Sequence, residues 1–192
     1  ENRMQIAGAL NNRDPATVVA DLQRDGLISA LPAEKDVERY RAEWPQLPRL
    51  RQNFEIGRQF IPQVSFDSET DEIPCRYDEV IRDFAKGSGG VFQPTEIVQV
   101  EKPKGEEDLA YTVEFVFAGK RFRFQPESSG DWLDLKALQD VINLALETAG
   151  RPERFLTLDF EDQVAYFVFG DPKTCADAAV RYTLPLSFEG SR

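Results

Sequence analysis

Cys175 and Arg181 stand at the Cys-x5-Arg spacing of a phosphatase nucleophile loop. That chemistry needs backbone N–H groups wrapped around a phosphate and positive potential to hold the sulfur as a thiolate. The intervening residues are Ala176, Asp177, Ala178, Ala179 and Val180. They include no glycine, they place a carboxylate where the phosphate would sit, and they read as helix. The spacing is therefore coincidental, and Cys175 is expected as a small apolar side chain in a core.

Asp67, Glu69, Asp71 and Glu72 form a second pattern, a loose echo of a calcium loop. An EF-hand needs glycine at its sixth position and a bidentate glutamate at its twelfth. Here those positions hold Glu72 and Asp78, with Pro74 between them. No metal is expected. The carboxylates read instead as a solvated surface for a basic protein, together with Glu106, Glu107 and Asp108 on a later charged loop.

Gly87-Ser88-Gly89-Gly90 is glycine-rich enough to approach a phosphate, but no Gly-Lys-Ser/Thr follows and Lys86 lies on the wrong side. It reads as a hinge. Asp131 and Asp134 flank Trp132 and could serve a glycosidase as acid and nucleophile, with the indole stacking on sugar. Asp131 is equally well explained as a helix cap, and Asp134 as a first-turn residue favoured by the helix dipole. The phenylalanines at period two could line a cup for an apolar ligand, though simple core is the commoner use of such a pattern.

Histidine is absent from all 192 residues. This removes Ser/His and Cys/His nucleophile pairs, HExxH zinc sites and most general-base schemes. A net charge of -11 and a pI near 4.6, with no basic cluster, argue against nucleic acid and anionic membrane as partners. The function expected is a non-enzymatic acidic protein-binding domain, such as an inhibitor or immunity-type protein neutralising a basic toxin or enzyme. The alternatives are a carboxylate-based glycan hydrolase and an extracytoplasmic accessory domain of an anchored protein. No cofactor is expected. No stretch approaches the ~20 apolar residues of a membrane span. The chain opens on Glu1, so a removed signal or anchor stays open, and either a cytoplasmic or an extracytoplasmic setting fits. An oxidising compartment would allow a Cys75–Cys175 disulfide; a reducing one would leave two buried thiols.

The elements that position these residues follow from periodicity. Asp14-Pro15 and Asp171-Pro172 read as caps with proline at the first helical position. Helices are expected from Asp14 to Gly26, Ala33 to Trp44, Arg76 to Lys86, Trp132 to Ala149 and Asp171 to Ala179. Residues 49–66 fit neither period. Strands are expected over Glu96–Glu101, through Tyr111, Val113, Phe115 and Phe117, back through Phe122 and Phe124, over Phe155–Phe160 and Gln163–Phe169, and at Arg181–Phe188. Val164–Phe169 is apolar on both faces, which places it centrally in a sheet. The fold class is α+β: a helical N-terminal region (1–90), then a region (91–192) with a mainly antiparallel sheet packed on one long helix in β-β-β-α-β-β-α-β order. The two regions could share a single core.

Overall fold

Asp14 accepts the N–H of Ala16, and Pro15 follows at the first turn, so α1 (Pro15–Arg24) starts where its cap dictates. Gly26, at φ 79°, sits just past its end in a conformation that suits glycine. The computed structural model describes residues 14–28, 31–43, 55, 59–105, 108–127, 129–158, 163–182, 184 and 186–187. The chain divides into two compact units, residues 1–62 with 170–188, and residues 63–169 with 189–192.

The first unit contains α1, α2 (Glu34–Glu43), α5 (Pro172–Tyr182) and the two-residue strand β7 (Leu186–Ser187). Arg41 of α2 pairs with Asp14, and Arg181 of α5 pairs with Asp25 at 2.6 Å. Asp171 caps α5 through its Oδ1, which accepts from Thr174 N at 2.9 Å. The strand expected from Arg181 onward is corrected. Cys175, Ala178 and Tyr182 are buried at helical spacing, so the helix continues through Tyr182, and among the described residues extended backbone is left only at Leu186–Ser187.

The second unit holds β1 (Gln63–Asp67), α3 (Tyr77–Gly87), β2 (Thr95–Pro103), β3 (Leu109–Phe117), β4 (Lys120–Phe124), α4 (Leu135–Thr148), β5 (Arg154–Leu158) and β6 (Val164–Gly170), the last residue of which belongs to the first unit. The fold is α+β, as its patterning implies. Its strands divide between two antiparallel sheets, one ordered β2-β3-β4 and the other β1-β6-β5. β6 is central, in keeping with its two apolar faces. β1 comes from the stretch whose periodicity was ambiguous; it pairs antiparallel with β6, Val64 opposite Phe167. Ala118 and Gly119, at φ 48° and 74°, make the tight turn between β3 and β4.

Alternation is strict in β3, where Tyr111, Val113, Phe115 and Phe117 are buried. α3 packs on β1 and β2, and α4 packs on β4 and β5. Between these layers Phe84 meets Phe66, Phe155 and Phe167 with ring centroids 4.7–5.0 Å apart, while Phe115 stacks on Phe122 at 5.5 Å. Such ring pairs contribute about 0.5–1.5 kcal/mol each beyond the area they bury. α4 also carries polar groups on its buried side: Asn143 Oδ1 accepts the N–H of Phe155 at 2.8 Å, and Asn143 Nδ2 donates to its carbonyl at 2.9 Å.

α4 begins at Leu135, not Trp132, because Leu133 N donates to Ser68 O and Trp132 lies in β-bridge pairing with Glu69. Its cap is Asp134 in place of Asp131. The Gly87–Gly90 run lies within the second unit, between α3 and β2, and Gly87 is pressed against β1: a β-carbon there would come within 2.2 Å of Val64 Cγ1. Trp44, proposed as a helix end, falls outside the described residues. No helix among the described residues is long and apolar enough to cross a membrane.

Candidate functional site

The carboxylates of residues 67–72 are positioned by a short ladder that runs on from β1. Thr70 N and Thr70 Oγ1 both donate to Asp131 O, at 2.9 and 2.8 Å, and Leu133 N donates to Ser68 O at 2.8 Å. Glu69 thereby faces Trp132 across an isolated antiparallel bridge. Asp67 Oδ1 accepts the N–H of Glu69 at 3.1 Å and an amide hydrogen of Gln163 at 2.8 Å; the same Gln163 nitrogen reaches Glu69 Oε2 at 3.1 Å. Asp71 takes a left-handed backbone at φ 55°, which aspartate tolerates better than most residues. The chain then turns through Glu72, Ile73 and Pro74 to Cys75, and α3 begins.

This path lines two open grooves with acid. One, of about 480 Å³, is bordered by Asp67, Glu69, Asp71 and Glu72 from the loop and by Glu79 and Asp83 from α3. The other, of about 690 Å³, runs between Asp71–Asp78 and the inward side chains of β2, Ile97, Gln99 and Glu101. Among the described residues, Arg76 is the one cation lining either groove. Its guanidinium is already engaged by Asp78 at 3.3 Å and Glu79 at 2.9 Å, and the hydrogen bond to Asp78 raises its pKa further. Asp78 is half-buried. Burial alone would push its carboxyl upward, but hydrogen bonds from Arg82 and Arg76 outweigh it and hold the group below the usual aspartate range.

Four of the residues singled out from sequence, Asp67, Glu69, Asp71 and Glu72, therefore do share one surface. Asp108 does not join them; it accepts the N–H of Leu109 and lies 3.6 Å from Lys104 at the end of the β2–β3 hairpin. Glu106 and Glu107 lie outside the described residues. The structure adds Glu79, Asp83, Glu101 and Asp131. Glu79 and Asp83 were accessible to sequence reasoning, since their i, i+4 spacing sets them on one face of α3, away from Ile81 and Phe84. Asp131, singled out above only in company with Asp134, reaches this surface by pairing with Thr70, 61 positions upstream.

Oxygens of Glu69, Asp71 and Asp131 lie within 4.8 Å of one another and could offer three ligands to a hard cation. Calcium takes about six to eight oxygens, and exposed acidic trios are common without an ion, so the trio carries no metal assignment. Asp134 is occupied: Oδ1 accepts from Ala137 N at 3.0 Å and Oδ2 from Glu127 N at 2.9 Å. Trp132 is 45% exposed. Cys175 is fully buried in α5, and burial, followed by the nearby Asp171 charge, pushes its thiol up to about 11. It is no thiolate nucleophile. Cys75 and Cys175 are both free and buried, one in each unit.

Comparison with family models, with curated proteins and with solved structures finds no match to this chain.

Proposed function

We propose that this chain is a non-enzymatic protein-binding domain that docks a basic surface of another protein, as an inhibitor or immunity-type protein would. The observation that carries the reading is the convergence of Asp67, Glu69, Asp71, Glu72, Glu79 and Asp83 on one open groove where Arg76, the one lining cation among the described residues, is held by neighbouring carboxylates. Like charges gathered at a surface raise its potential and steer a cationic partner toward it. The absence of histidine supports the same reading, because binding of this kind needs no proton carrier near neutrality.

The test begins with the full chain as bait in extract from its native cell, followed by binding of the purified partner it retains. The expected partner carries a basic face, and its affinity falls steeply between 50 and 300 mM salt, since exposed charges are screened within ~8 Å at physiological ionic strength. Glu69→Lys, Asp71→Lys and Glu72→Lys together should weaken the complex at least a hundredfold. A partner whose binding ignores both salt and the charge reversal would overturn the reading.

The glycan hydrolase reading is supported by one feature: the exposed indole of Trp132 beside Asp131, whose carboxylate lies near those of Glu69 and Asp71. Turnover of a polysaccharide that Asp131→Asn and Glu69→Gln abolish would put this reading first.

A further inference from the structure

We propose that the free edge of β2 accepts an extended segment of the partner as an added antiparallel or parallel strand, one whose side chains alternate between basic and apolar. The inference rests on the acidic-docking reading above and specifies how that docking is made.

β2 is nine residues long, and among the described residues it pairs with β3 on one side and with no strand on the other. Edge strands present a row of unpaired N–H and C=O groups, and proteins blunt them with charge, proline, bulges or short length. The opposite edge of this sheet is blunted in that way: β4 has five residues, three of them the cations Lys120, Arg121 and Arg123. β2 carries three charges as well, Glu96, Glu101 and Lys102, but none from Ile97 to Val100. Its bulge, where the register shifts between Thr95 and Val98, and its Pro103 stand at the ends. The middle keeps regular pairing, with Val98 opposite Glu114 and Val100 opposite Thr112.

The two faces flanking that edge then define the occupant. On the outer face Val98 and Val100 are 47% and 46% exposed, an unusual use of valine on an open strand. On the inner face the edge borders the 690 Å³ groove, where Asp71, Glu72 and Glu101 present carboxylates. Successive side chains of a strand point to opposite faces. A strand laid ~4.8 Å from β2 would thus send every second side chain toward the carboxylates and the others beside the valines. Charge complementarity asks for lysine or arginine at the first set, and the valines ask for β-branched or aromatic residues at the second. Main-chain bonds supply affinity in strand addition, and the alternate side chains supply specificity.

The probe is a labelled nine-residue peptide alternating lysine and valine, titrated against the full chain by fluorescence anisotropy at low salt. Two further versions carry N-methyl groups on either all lysine amides or all valine amides. One methylated version should lose at least tenfold in affinity and the other should bind like the parent, since only one set of amides faces β2. Val98→Lys with Val100→Lys, both at exposed positions, should also weaken the parent peptide tenfold or more, as should a peptide of the same composition with its lysines and valines in separate blocks. Equal binding of both methylated versions, or of the block peptide, would overturn strand addition while leaving the acidic-docking reading to its own charge-reversal test. A chain that dimerises, and becomes monomeric on Val98→Lys with Val100→Lys, would also overturn it, because a second copy would then hold the edge.

Discussion

Gln99 donates its side-chain amide to the carbonyl oxygen of Cys75 at 2.7 Å. Tyr111 takes the other backbone group of that residue, its hydroxyl oxygen accepting the Cys75 N–H at 3.0 Å. Side chains from β2 and β3 therefore hold the loop that walls the larger acidic groove, and they do so at a residue that is fully buried.

Tyr111→Phe removes the acceptor and leaves a buried N–H unpartnered, which costs about 1–3 kcal/mol. Urea denaturation should show that loss. Maleimide labelling mapped by mass spectrometry should show Cys75 reacting faster in the variant, while Cys175, buried and raised to about 11, stays inert until the chain unfolds. Equal acceleration at both cysteines would mean that the substitution loosens the whole chain and not this loop.

Gly87 is required by contact and not by backbone angle. A methyl group at this position would reach within 2.2 Å of Val64 Cγ1 on β1. Gly87→Ala should cost about 1–3 kcal/mol through overpacking, despite the better helix propensity of alanine. In the Val64→Ala background the same substitution should cost far less, a coupling that a double-mutant cycle reads directly.

Asp78 is held below its ordinary pKa, so its stabilising effect is complete above the unfolded value of about 3.9 and fades as pH falls through the lower folded value. The stability advantage of the native chain over Asp78→Asn should be constant from pH 7 down to about pH 5 and should shrink below pH 4. Thermal unfolding across that range checks it. An advantage that grows on acidification would contradict the assignment.

Asp134 and Asp131 should separate cleanly. Asp134→Ala removes a helix cap and the acceptor of Glu127 N, and caps of this type contribute about 0.5–2 kcal/mol, enough to lower Tm by roughly 1–8 °C in a chain of this size. Asp131 contributes its backbone carbonyl to Thr70, so Asp131→Asn should stay within about 0.5 kcal/mol. Scanning calorimetry of both variants decides the point.

Much of the fold was legible because it depends on which side of a single element is buried. Tyr111, Val113, Phe115 and Phe117 announce one face of β3 by alternation, and Leu135, Leu138, Val141, Ile142 and Ala145 announce one face of α4 by helical spacing. Caps at Asp14 and Asp171 are local as well, each a side chain bonding an N–H two or three residues ahead. Gln139 and Leu146 escaped that reading: Leu146 lies beside the stripe, and Gln139 is buried only because its amide meets Phe155 O and Thr157 Oγ1 on β5.

By itself the sequence determined an α+β class, a phenylalanine-rich core, an anionic surface and a lack of near-neutral proton carriers. Only the tertiary structure decided that the strands split into two sheets, that Gln63–Asp67 is a strand, and that Trp132 leaves the helix to face Glu69. It likewise decided that Asp71 and Glu72 share a groove with Glu101 of β2. The reason is physical: periodicity is a local record of burial, whereas strand partners and converging carboxylates are chosen by contacts between segments far apart in the chain, where backbone hydrogen bonding is indifferent to side-chain identity.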